Sequence, residues 1–484
     1  MEDSYIALSK YFKKPDFTLG DFSACLGVFI IILLVAKFIQ VKNGNKSYYR
    51  KYFMPGLMLK MLGGLAYALV YTYYYTYGGD TSGYWKYGSL VANIIFEYPQ
   101  YWWDVFTANF DSSEPFVIGF LKSFRWSRST EEFTVIQITS LVAPFGFMNF
   151  YASTILLAAI CYTGVWQLFL LFRSKFPSAE KLLAIVVLFF PSIVFWGSGI
   201  MKDTIVFSCL GLLVYNLNKL FENGFFQFNR IAILILAVVL IFSTKPYVLF
   251  SLAPGIVVWR TFKYRDRIKS KFIRATVVPI FIIIAFIGSL YLLDYIGRYN
   301  PLYKLENFIG AAQSMQNWHY QEGHNTSEQF GRGSSYSLGD YEPTPLGVAK
   351  VFPAAVNVTL FRPYVWEADT FMQLIAALES FAVLLYSFYV IIWLKPSRFF
   401  RILNSDSFLL LMLSFSLIFA FAVGFSAYNF GALARYKIPC IPFYLGLLVV
   451  IHQRIRQEKR EKFMAAILRR RKQRNKMVVP GFTG

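Results

Sequence analysis

Tyr77-Gly78-Gly79-Asp80-Thr81-Ser82-Gly83-Tyr84 closes an apolar run that begins near Gly56, and it closes that run with a carboxylate. An ionised Asp among glycines and tyrosines adds little to the packing of an apolar helix end. Its nearest basic neighbour in sequence is Lys86. The glycines leave the backbone open to close approach. Charges at the ends of apolar spans are costly unless paired, hydrated or in use, so Asp80 marks a candidate site.

Working outward, 56% hydrophobic, 19% aromatic and 15% charged residues in a chain of 484 lie outside the range of soluble globular domains. Apolar runs of about 20 residues, each able to cross ~30 Å of hydrocarbon as a helix, recur from end to end. The expected fold class is therefore all-α: a polytopic membrane protein with about eleven transmembrane helices. The formal charge of +21 sits in short clusters between the runs, the pattern of cytoplasmic loops, and calls for no nucleic-acid partner. Cys25, Cys161, Cys209 and Cys440 lie in or beside apolar runs with no paired spacing, and read as buried small hydrophobes. Residues 1–21 mix charge with aromatics, lack the apolar core of a signal peptide, and read as an interfacial amphipathic segment.

Within a transmembrane domain of residues 22–452, the runs fall at 22–41, 56–77, 149–172, 181–198, 203–221, 229–244, 247–261, 275–295, 371–394, 407–425 and 437–452. Lys42, Lys46, Arg50 and Lys51 follow the first run, and Arg173, Lys175 and Lys181 the third. Residues 260–274 form a basic loop after the seventh, and Lys395, Arg398 and Arg401 follow the ninth. These clusters and the basic tail 453–484 fall on one side if the N-terminus is outside and the C-terminus cytoplasmic. The tail then reads as a helix on the anionic inner leaflet. Two long loops lie outside. Loop 78–148 carries amphipathic stretches, Tyr84–Phe96 and Phe133–Leu141, that read as membrane-surface helices. Loop 296–370 holds a flexible flap at Gly331–Gly339 and an apolar segment, Gly347–Phe361, that is broken by Pro353 and dips into the membrane without crossing.

On this topology five charged turns open towards one outer cavity. They carry Asp80; Lys202 and Asp203; Lys245 with Tyr247; Arg362 and Glu367; and Arg435 and Lys437. The carboxylates, Asp80 and Asp203 first and Glu367 after them, suit a general base or a group that orients an acceptor hydroxyl. The cations suit a phosphate or diphosphate, Arg through its bidentate fork and Lys as a point charge. Each also has a plainer reading. Lys202 pairs with Asp203 or snorkels, Arg362 and Glu367 form a local salt bridge, and Lys245, Arg435 and Lys437 anchor helix ends at the interface. Asp80 and Asp203 are candidates to share Mg²⁺ or Mn²⁺, provided water and donor phosphate complete the coordination sphere. His319 and His324, with Glu322 and Glu328 nearby, sit in a Gly-rich segment with poor spacing for zinc.

The layout resembles the GT-C superfamily of multi-spanning glycosyltransferases, which use polyprenyl-phosphate or polyprenyl-diphosphate sugars on the non-cytoplasmic side. Gly79-Asp80, followed by a surface-helix loop through Met148, is similar to that family's catalytic Asp at the start of the first outer loop. Lys202-Asp203 occupies the place of a second acidic residue in the next outer loop. Arg435-Tyr436-Lys437-Ile438-Pro439 with Pro442 is similar to an Arg-Tyr/Pro pattern late in several bacterial members. The chain departs from the family in one extra span before the Asp-bearing helix and in lacking a large folded outer domain after the last span. The resemblance implies a lipid-linked sugar donor, a glycan, lipid or protein acceptor, and a bacterial inner (plasma) membrane with the site facing the periplasm or exterior. The two long outer loops with arginines also resemble bacterial polysaccharide polymerases that join lipid-linked repeat units. A flippase or transporter of lipid-linked glycans is a further reading. It requires broken helices near the midplane and polar groups inside the spans. The runs read as mostly clean, with Lys60 the clearest intramembrane charge, about one turn in from the cytoplasmic end.

Overall fold

Leu19–Lys42 shows how the sequence dictates the elements. Thr18 takes the Asp21 amide on its hydroxyl while the Asp21 carboxylate takes the Thr18 amide at 2.7 Å, a reciprocal cap that starts the helix. Beyond it the apolar side chains run all round the helix, and Ile30, Leu34 and Phe38 remain exposed. In water that surface would be unfavourable; in hydrocarbon it is the matching solvent.

The computed structural model describes residues 16–44, 46–75, 79–224, 227–261, 335–342 and 344–477, with 288, 307, 310 and 312–317. Among these residues the structure is helical, and the one extended pairing is an isolated bridge between Ser335 and Asn429. Among the described residues six helices are long and apolar enough to cross a membrane: Leu19–Lys42, Tyr49–Tyr73, Phe150–Lys175, Lys202–Asn223, Phe371–Trp393 and Ser407–Ser426. Two bent pairs, if each is one span, raise the number to eight. This architecture is all-α and compatible with an integral membrane protein. Ser407–Ser426 lies at the centre of the bundle and Leu19–Lys42 at its rim, with 83% and 17% of the apolar window buried. All four cysteines are free and buried, as their apolar neighbours imply.

Several expected spans differ in form. The run 181–198 is broken: Pro177–Leu188 and Pro191–Ser198 meet at 53°, because Pro191 supplies no amide to continue the first helix. The run 56–77 begins earlier. A π-helical turn, Tyr49–Phe53, leads into Met54–Tyr73, so Pro55 sits inside a continuous span. Lys60 therefore lies about 16 Å along the helix, near its middle rather than one turn from its end. Phe228–Thr244 and Tyr247–Thr261 have 17 and 15 residues. At 1.5 Å per residue Phe228–Thr244 is shorter than ~30 Å of hydrocarbon, and Thr261 is the last described residue of its stretch. The last run is bent by 63° between Phe430–Tyr436 and the helix that opens at Ile441. Residues 275–295 lie outside the described residues.

Between the second and third long helices the chain forms four helices, Gly79–Glu97, Trp102–Phe106, Pro115–Lys122 and Thr130–Val142. Both amphipathic stretches expected there fall within helices. The described part of the expected flap is tied down. Tyr336 is buried, its amide donates to the Tyr428 carbonyl at 3.1 Å and its hydroxyl to Gly424 at 3.0 Å. Phe352–Phe361 is a short apolar helix packed against Ser407–Ser426, and the basic tail continues Ile441–Met477 without a break.

Candidate functional site

Asp80 stands in the first turn of Gly79–Glu97, where the helix dipole favours a negative charge. Its Oδ2 lies 3.6 Å from Nη1 of Arg435, in the last turn of the short helix Phe430–Tyr436. Asp80 is 46% exposed against 14% for the Arg435 side chain, so the carboxylate is within reach of a substrate and the guanidinium lies behind it. Asp203 contrasts with it. At 1% exposure, its Oδ1 accepts from Lys245 Nζ at 2.5 Å, and among the described residues Oδ2 has no hydrogen-bond partner. Lys245 also lies over the Tyr436 ring, 3.6 Å from its centroid, a cation–π contact at a desolvated position. Tyr247 flanks the same ammonium at 6.0 Å.

Lys202 does not pair with Asp203. Its Nζ reaches Glu131 at 3.2 Å and Glu132 at 2.9 Å, both in the first turn of Thr130–Val142. Adjacent residues on a helix do not face each other, so Lys202 and Asp203 take separate partners. Tyr84 is buried within electrostatic range of Lys202, Asp80 and Glu132, and burial holds its phenol well above the ordinary value. Burial acts to raise the Glu132 carboxyl as well, but the Lys202 ammonium and the Ser129 hydroxyl overcome it and hold Glu132 below the usual range.

The remaining turn is separate in its bonding. Arg362 and Glu367 form a two-bond clamp, Nε to Oε2 at 3.0 Å and Nη2 to Oε1, and Glu367 also takes the Tyr364 amide at 2.8 Å. This is the local salt bridge that the plainer reading of these two residues described. Lys437 turns away from Asp80 into the bundle, donating to Ser380 Oγ at 2.8 Å and to the Arg362 carbonyl at 3.5 Å. The centre thus gathers Asp80, Lys202, Asp203, Lys245, Tyr247 and Arg435, with Arg362, Glu367 and Lys437 beside it. Glu131 and Glu132, which the sequence reading does not single out, and Tyr436, which it quotes only within the Arg435–Pro439 stretch, complete it. The Glu131-Glu132 pair resembles ordinary N-terminal helix charges, and Tyr436 stands between two residues that were chosen. Among the described residues no three His, Cys, Asp or Glu side chains gather as for a metal, and Asp80 and Asp203 each face a cation instead. His319 and His324 lie outside the described residues.

Burial, the largest influence, pulls the Lys245 ammonium from 10.5 to about 8, while the Asp203 carboxylate works to keep it charged. Between about 8 and 10.5 the unfolded chain binds more protons at this position than the folded one, so stability contributed by Lys245 rises with pH there. Function that needs its charge falls over the same range. We expect the stability contributed at this position to rise with pH between about 8 and 10.5, and a pH profile of thermal unfolding checks it.

Compared with protein families, with curated proteins and with solved structures, the chain finds no match.

Proposed function

We propose that the protein is an integral-membrane glycosyltransferase that takes its sugar from a polyprenyl phosphate or diphosphate and serves cell-surface glycan or polysaccharide assembly. The observation that supports this reading is the gathering of Asp80, Lys202, Asp203, Lys245 and Arg435 at one end of the bundle, with the reachable carboxylate set against a guanidinium that is only 14% exposed. On the reading of about eleven spans, with the N-terminus outside and the C-terminus cytoplasmic, this end faces the outside of a bacterial inner membrane.

The chemistry follows from the pairing. Donor phosphate competes with Asp80 for Arg435, held more loosely at 3.6 Å than Lys245 is by Asp203 at 2.5 Å. Once Arg435 turns to the phosphate, Asp80 is free to take the acceptor hydroxyl proton. The acceptor oxygen bonds to the anomeric carbon, the carbon–oxygen bond to phosphate breaks, and the lipid phosphate leaves against Arg435. Catalysis consists of positioning and charge neutralisation. Arg435→Ala should raise the donor KM by more than about ten-fold or abolish turnover, the loss of a charge-assisted contact. Unchanged kinetics would remove Arg435 from the site.

Transport of a lipid-linked glycan is the second reading. The broken Pro177–Leu188/Pro191–Ser198 pair and the buried Lys60 favour it, since both are features asked of a transporter. Purified protein in liposomes with a lipid-linked sugar separates the two. A covalently extended product supports the transferase, and its length divides single transfer from repeat-unit polymerisation. Lipid crossing the bilayer unaltered supports transport and overturns the transferase reading.

A further inference from the structure

The broken span leaves a half-helix, Pro191–Ser198, whose two ends meet ions of opposite sign from two other helices. At its start, Glu379 of Phe371–Phe388 accepts the Ser192 amide at 2.9 Å and the Ser192 hydroxyl. Lys60 of Met54–Tyr73 donates to the Gly197 carbonyl near its end and, one turn earlier, to the Ile193 carbonyl at 3.1 Å. Each ion has the sign that the helix terminus attracts: an anion at the amides, a cation at the carbonyls. Lys60 is buried, with no carboxylate partner among the described residues. Glu379 shares a small cavity with Lys437, Thr359 and Tyr444, and both its oxygens are taken by Ser192. The half-helix lies tightly on Met54–Tyr73. A Cβ at Gly63 would stand 2.1 Å from the Val194 carbonyl, and one at Gly199 would stand 2.2 Å from the Tyr67 ring.

Three buried residues, Gly199, Ile200 and Met201, join this half-helix to Lys202 and Asp203. So short a connector transmits the position of one to the other. We propose that Glu379 and Lys60 are positioning residues: by holding the two ends of Pro191–Ser198 they fix where Lys202 and Asp203 stand in the site. Charge is the reason these residue types are used. A neutral acceptor or donor would satisfy the same backbone groups, but charge-assisted bonds are roughly twice as strong, and desolvation at this depth strengthens them further. The consequence for turnover rests on the transferase reading above; the clamp itself does not.

The test uses hydrogen–deuterium exchange resolved by peptide, on the full chain in lipid nanodiscs, so it needs no substrate. Glu379→Leu and Lys60→Met are expected to speed exchange in residues 191–204 by about ten-fold or more, with Glu379→Gln between them and the wild type. Peptides from 153–172 should not change. Ser192→Ala, which deletes one hydroxyl alone, gives a milder variant should the others fail to fold, and should speed the same segment. Unchanged exchange at 191–204, or an equal rise in every peptide, overturns the proposal, and Glu379→Gln matching the wild type overturns the part assigned to charge. With a transferase assay, Glu379→Gln is expected to lower kcat more than it raises donor KM. If the wild type shows no transfer, the transferase reading falls and the exchange result still decides the clamp.

Discussion

Asp80→Asn should lower glycan transfer by about 10² to 10⁴-fold, the usual contribution of a positioned general base, while the protein reaches the membrane in normal amount. The substitution is nearly isosteric, and the side chain is 46% exposed, so neither packing nor burial makes it costly to fold. The Arg435 contact at 3.6 Å is long for an ion pair, and losing it removes little stability. Asn still accepts a hydrogen bond from Arg435 but cannot take a proton from a hydroxyl. Donor KM should therefore move less than kcat, the pattern of an interaction made in the transition state. Full transfer by a normally inserted variant would sink the assignment of Asp80 as base.

The sequence carried the helical class through the length and recurrence of its apolar runs, and it pointed to Asp80 through the oddness of a carboxylate after an apolar run, where the structure sets it in the first turn of the next helix. Pairing was harder to read. Lys202 and Asp203 are neighbours in the chain, yet helix geometry sends them to Glu131 and Glu132 on one side and Lys245 on the other. The pairs span 71, 70 and 42 positions, separations that no local pattern encodes. Mean hydropathy also hid the break before Pro191, since Phe189, Phe190 and Ile193 keep the run apolar across it. Glu379 was absorbed into an apolar run for the same reason. Lys60 is visible in the sequence but misplaced there, because the apolar run reads as beginning near Gly56 while a π-helical turn carries the span back to Tyr49.

The Asp203–Lys245 pair carries the other large effect, on stability as well as activity. Both side chains are 5% exposed or less, so removing either partner leaves an uncompensated charge in a dry environment. Asp203→Ala or Lys245→Met alone should destabilise the protein by about 3–5 kcal/mol. Replacing both, as Asp203→Leu with Lys245→Met, removes the desolvation cost of two ions along with their attraction, and should restore most of that stability. The coupling is measured by a double-mutant cycle on thermal unfolding in nanodiscs. The double variant should nevertheless be inactive, because Lys245 lies against Tyr436 beside Arg435 and supplies part of the positive field that a leaving phosphate requires. Single variants as stable as the wild type would mean the pair is hydrated rather than buried. A stable, active double variant would make it a structural ion pair and leave the phosphate to Arg435 alone.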